Sequence, residues 1–165
     1  MTKDELGNDY PDNGERAIFF ARGVLETVKK LRWTPDIIHC QGWMSAVIPF
    51  YVKTAYKDEP QFAGSKVVTS LFAEQPQGSL GTNFKHCLEF REAKEKCLKK
   101  YGDNFDFMEL GKLAIDYSDG IIRTSDKAST ALVDYARDNA KPLLEHSIDD
   151  AGLKEKYSEF YSRLL

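Results

Sequence analysis

Pro35-Asp-Ile-Ile-His-Cys-Gln-Gly-Trp-Met-Ser-Ala-Val-Ile-Pro49 joins two different local patterns through a polar turn. Asp36 to Cys40 is a short apolar run with two β-branched residues, which predicts a strand covered on both faces of a parallel sheet. His39, Gln41 and Trp43 fall at its carboxyl end. In an open α/β sheet that end borders the crevice where ligands bind, so the position itself argues for function. It names no ligand. Ser45 to Tyr56 then reads as a helix, with Pro49 either kinking it or sitting in its first turn.

Upstream, Asp12-Asn-Gly-Glu15 predicts a helix start, with Asp12 accepting from the first amides and Glu15 reaching back as in a capping box. Ala17, Phe20, Val24, Val28 and Leu31 follow at three- and four-residue steps and predict the inward face. Pro35 stops the helix by disfavouring helical geometry at Thr34. Downstream, Lys66 to Phe72 reads as a second strand and Gly120 to Thr124 as a third. Between them the periodicity fades from Ala73 to about Phe107, apart from a lysine-rich stretch, Glu92 to Lys100, read as a solvated helix. Phe107 to Tyr117 and Asp126 to Asp138 read as helices, the second with Ala128, Ala131, Leu132 and Tyr135 inward. After Ser147-Ile-Asp-Asp150, a terminal amphipathic helix carries Leu153, Tyr157, Phe160, Tyr161 and Leu164. Alternating helices and strands without hairpin turns predict an α/β fold, a Rossmann-like, doubly wound and mainly parallel sheet with flanking helices.

The 165 residues suffice for one domain that buries about two-thirds of its unfolded surface. A net charge of −3 gives no electrostatic case for nucleic acid. The apolar runs are shorter than the ~20 residues that span a bilayer, and Met1 to Glu5 hold no apolar signal core, so a cytoplasmic location without membrane contact is expected. Cys40, Cys87 and Cys97 are odd in number and lack paired metal spacing, which reads as three reduced thiols and no metal.

Three segments carry a family resemblance in order. Pro35 to Trp43 resembles Pro-Asp-x-Ile-His-x-His-Asp-Trp, Tyr10 to Phe20 resembles Tyr-x-Asp-Asn-x-x-Arg-Phe, and Gly111 to Ser125 resembles Leu-Lys-x-Ala-Ile-x-Tyr-Ala-Asp-x-Val-x-Thr-Val-Ser. These are segments of the bacterial glycogen and plant starch synthases, glycosyltransferase family 5. The resemblance is nearest to short synthase-like proteins of gut Bacteroidetes that consist of an amino-terminal synthase domain alone. It implies half of a two-domain glycosyltransferase fold, with ADP-glucose or UDP-glucose as donor and an α-glucan as acceptor. No other cofactor is expected. The family's opening strand, its glycine-rich phosphate loop and its second nucleotide-binding domain have no counterpart in residues 1–165.

The candidate substrate-binding residues are Asp12, Asn13, His39, Gln41, Gly42, Trp43 and Ser125. Several have a plainer reading. Asp12 is a helix cap, and Ser125 or Asp126 caps the helix after the third strand. His39 is a satisfied core histidine, and Trp43 either stacks on a sugar or closes the core. Gln41-Gly42 stand where the resemblance implies His-Asp, and glutamine cannot titrate near neutral pH. Leu71 stands where the family has the histidine of Thr-Ile-His-Asn, and Asp126 where it has proline, so a more apolar pocket is expected. No catalytic residue is assigned. Three functions stay open: a synthase-like domain inactive alone, a non-catalytic glycan-binding or protein-interaction module, and half of a split glucosyltransferase. A homo-oligomer or a second domain supplied in trans would complete the assembly.

Overall fold

The computed structural model describes residues 2–73, 78–146 and 152–165. Helix α1 spans Asn13–Lys30, β1 Ile37–Gln41, α2 Ile48–Lys53, β2 Lys66–Leu71, α3 Phe84–Cys87, α4 Phe107–Asp116, β3 Gly120–Arg123, α5 Thr130–Asp138, β4 Leu143–Leu144 and α6 Leu153–Leu164. The four strands form one parallel sheet in the order β1-β2-β3-β4. Parallel neighbours require crossovers, and α2, α4 and α5 lie on the three connections. The fold is Rossmann-like α/β, as the alternation of patterns predicts.

Side chains alternate across the sheet and divide its two faces. Cys40, Val67, Leu71 and Ile121 join clusters built with α1, α2, α4 and α5. Val68 and Ile122 face Phe160, Tyr157, Tyr161 and Leu164 of α6 on the other side. A Cβ at Gly120 would lie 2.7 Å from Leu164 and 2.9 Å from Phe160, so the absent side chain lets α6 lie directly on β3.

Several expectations are corrected. The Asp12 side chain makes no capping bond; its carboxylate pairs with Arg16 at 2.9 Å. The buried face of α1 is Gly14, Ala17, Ile18, Ala21 and Leu25, while Phe20 and Leu31 are exposed. Close approach selects the small side, since a Cβ on Gly14 would already meet Phe84 at 2.8 Å. In place of a helix from Ser45, a 3-10 turn spans Trp43–Ser45 and α2 starts at Ile48 with Pro49 in its first turn. The Ser45 hydroxyl bonds the carbonyls of Gln41 and Gly42 and holds that turn.

The Glu92–Lys100 helix is also absent. Only Glu95–Cys97 forms a short 3-10 turn; Phe90 and Ala93 exchange both backbone hydrogen bonds in a tight loop just before it, and Ala93, Leu98, Tyr101 and Phe105 are buried in the core. Helix α5 begins at Thr130 under a Ser129 cap, not at Asp126, since Arg123 binds the carbonyls of Ser125 and Asp126 and keeps them in a turn. Ala131 is exposed; Val133 and Ala136 face inward with Leu132. Strand β4 was not expected, two residues being too few to make a pattern. Tyr157, Phe160, Tyr161 and Leu164 face the sheet as expected, whereas Leu153 is exposed. Ser147 to Asp150 lie outside the described residues.

Asp116, at the end of α4, ties the irregular segment to the helical layer. Its carboxylate accepts from the Tyr101 hydroxyl at 2.5 Å and the Tyr135 hydroxyl at 3.0 Å and pairs with Lys100 at 2.7 Å. Asp116→Ala leaves both hydroxyls without this acceptor and should lower unfolding free energy by about 2–3 kcal/mol in urea titration. A loss near zero would mean that the knot carries no stability.

Candidate functional site

A narrow cleft, with about 30 Å³ of room inside it, opens at the carboxyl ends of β1 and β2. Gly42, Trp43, Leu71, Phe72, Phe107 and Gly111 line it together with neighbouring residues, none of which titrates. Thr69 and Ser70 are its polar residues on β2, and their hydroxyls are engaged with Ser118 at 2.7 Å and His39 at 2.6 Å. Gly111 keeps the wall thin, since a Cβ there would come 2.5 Å from Leu132 of α5.

The turn after β1 shapes the mouth. Gly42 has φ 75° and ψ 158°, a conformation that side-chain-bearing residues rarely adopt. The sharp reversal sends Trp43 inward, where it is buried at the cleft wall. Aspartate, which the resemblance implies at this position, would be strained in the same backbone.

His39 and Gln41 point the other way. The His39 Nε2 lies 2.6 Å from the Ser70 hydroxyl, and Nδ1 lies 2.9 Å from the Tyr161 hydroxyl of α6 and 3.3 Å from the Gln41 amide. Tyr157 and Tyr161 meet the imidazole edge-on. Burial holds the imidazole below its ordinary titration range. Both ring nitrogens are therefore engaged within the fold, on the sheet face opposite the cleft.

The structure thus brings Gly42 and Trp43 together with Leu71 and separates them from His39 and Gln41. Asn13 is buried at the start of α1, its amide donating to the Thr2 carbonyl at 2.7 Å, and does not line the cleft. Asp12 is exposed beside Arg16, and Ser125 sits in the turn after β3, its carbonyl held by Arg123. Sequence reasoning did not include the cleft residues Phe107, Leu110, Gly111 and Ala114; their helical spacing on α4 was the available signal. Cys40 is buried and its thiol is pushed up to about 12 by desolvation, which leaves it no nucleophile. Among the described residues no cluster of His, Cys, Asp or Glu could hold a metal ion.

Two measurements test this geometry. Gly42→Ala meets no atom within 4 Å, so its cost is purely conformational and should be about 1–2 kcal/mol in chemical denaturation. For His39, the folded value lies below the unfolded one, so its contribution is present above the ordinary value of 6.5 and is lost as pH falls through the folded value. Unfolding free energy should accordingly drop on acidification below 6.5, and His39→Gln should flatten that part of the profile.

A family model described as the starch synthase catalytic domain matches residues 2–149, which leaves α6 outside the match. The glycogen synthase of Clostridium perfringens is 34% identical over 141 residues, 84% of this chain and 27% of that protein. That of Desulforudis audaxviator is 29% identical over 154 residues, 92% of this chain and 28% of that protein. The glycogen synthase of Chlorobium luteolum is 48% identical over 75 residues, 46% of this chain and 15% of that protein. The chain spans at most 28% of the length of these three relatives. With its parallel sheet and a match running through both crossovers that flank the cleft, the chain belongs to the starch synthase catalytic domain family.

Proposed function

We propose that this chain is a synthase-like amino-terminal domain of family 5 type that holds an α-glucan at the β1–β2 cleft and does not transfer glucose by itself. The observation carrying this reading is the lining of the cleft, which pairs apolar and aromatic walls with no titratable side chain. Aromatic faces suit the apolar face of a sugar ring. General acid–base work needs a group that titrates near the operating pH, and the leaving diphosphate of a sugar nucleotide needs fixed positive charge. Gln41, Gly42 and Leu71 supply neither. Donor chemistry with ADP-glucose or UDP-glucose would require nucleotide contacts beyond those residues 1–165 supply; half of a split glucosyltransferase is the second reading. The absence, among the described residues, of any helix long and apolar enough to cross a membrane is compatible with work on glycogen in the cytoplasm.

Titration calorimetry against maltooligosaccharides, ADP-glucose and UDP-glucose tests this. The expected result is maltooligosaccharide binding, weakened about fivefold by Trp43→Ala and less by Trp43→Phe, with no glucose transfer by the chain alone. Turnover by the chain alone would overturn the inactive reading. Nucleotide-sugar binding without glucan binding would favour the split enzyme.

A further inference from the structure

Helix α1 leaves an apolar face uncovered. Phe19 is 81% exposed, Leu31 69%, Trp33 60% and Phe20 45%. Together they border an open groove floored by Gly23 and Val24. The Thr27 hydroxyl is turned onto the Gly23 carbonyl at 2.7 Å, so a polar group of the groove is already satisfied. Singly exposed apolar residues need no explanation, but a contiguous patch of this kind on one helix does.

We infer that this face binds a second copy of the same chain, two α1 helices crossing near Gly23 about a two-fold axis. A two-fold interface must be complementary to itself. Gly23 lies close to the midpoint of Asn13–Lys30, and nothing lies within 4 Å of where its Cβ would be, so two helices can approach closely there. In an antiparallel crossing centred on Gly23, Phe19 of each copy falls beside Gly23 and Thr27 of the other and fills the groove. The same arrangement brings exposed Glu15 of one copy to exposed Lys30 and Arg32 of its partner, because equal steps either side of the crossing point are opposed. The cleft at β1 and β2 plays no part in this contact, so the two proposals stand or fall separately.

Sedimentation equilibrium of the full chain over a concentration series tests the inference. The expected result is a reversible monomer–dimer equilibrium, with Phe19→Lys and Gly23→Leu both monomeric while circular dichroism shows the fold retained. Glu15→Lys should weaken the dimer about fivefold, and adding Lys30→Glu should restore it. A monomer at every concentration overturns the proposal. So does a dimer or larger assembly untouched by Phe19→Lys and Gly23→Leu, which would place association elsewhere. Loss of affinity without charge-reversal rescue overturns the antiparallel crossing.

Discussion

A parallel sheet is stable only when both of its faces are covered, and the rest of this molecule follows from meeting that demand. One face is covered by α2, α4 and α5, the helices of the crossovers themselves, with α1 packed against α2 and the Trp43–Ser45 turn. The other face has no crossover helix among the described residues and is covered by α6. Helix α6 lies beyond the family match yet fits as closely as the rest, with Phe160 and Leu164 lying over the missing side chain of Gly120. Tyr161 adds a directional contact by meeting His39.

The same alternation sets the chemistry. Residues two apart on a strand share a face, so His39 and Gln41 lie on the same side of the sheet, where His39 meets α6 and is engaged by Ser70 and Tyr161 while exposed Gln41 reaches the imidazole at 3.3 Å. The cleft receives what lies beyond the strand ends, Gly42 and Trp43 after β1 and Leu71 and Phe72 at β2. Its character is apolar because the polar groups of these two strands are committed elsewhere, Thr69 to Ser118 and Ser70 to His39. A cleft lined this way has little with which to move a proton.

The regions that were hard to read in sequence are those where distant contacts outweigh local pattern. Helix α1 shows two candidate faces, one lined by Phe20, Val24 and Leu31 and one by Ala17, Ala21 and Leu25. Periodicity favours the bulky one, whereas the close approach of α1 to Phe84 selects the small one. The Glu92–Lys100 stretch has helical composition, but Phe90 and Ala93 close a tight loop through two backbone hydrogen bonds and Ala93 and Leu98 are buried, so only a 3-10 turn forms between them. At α5, Arg123 competes for the carbonyls that a helix starting at Asp126 would need, and delays the start to Thr130. The seven candidate site residues divide in the same manner. Gly42 and Trp43 could be placed at a cleft because strand ends border crevices, while the direction taken by His39 depended on a helix more than a hundred residues away.

By itself the sequence determined the order of strands and helices, the parallel character of the sheet, the family and the polar turn after β1, because each rests on short-range spacing or on motifs within one segment. Only the tertiary structure decided which face of α1 is buried, that β4 exists, that His39 serves α6 and that the cleft contains no titratable group. Those outcomes turn on packing between segments far apart in the chain, where volume and close approach override the preferences of any single stretch.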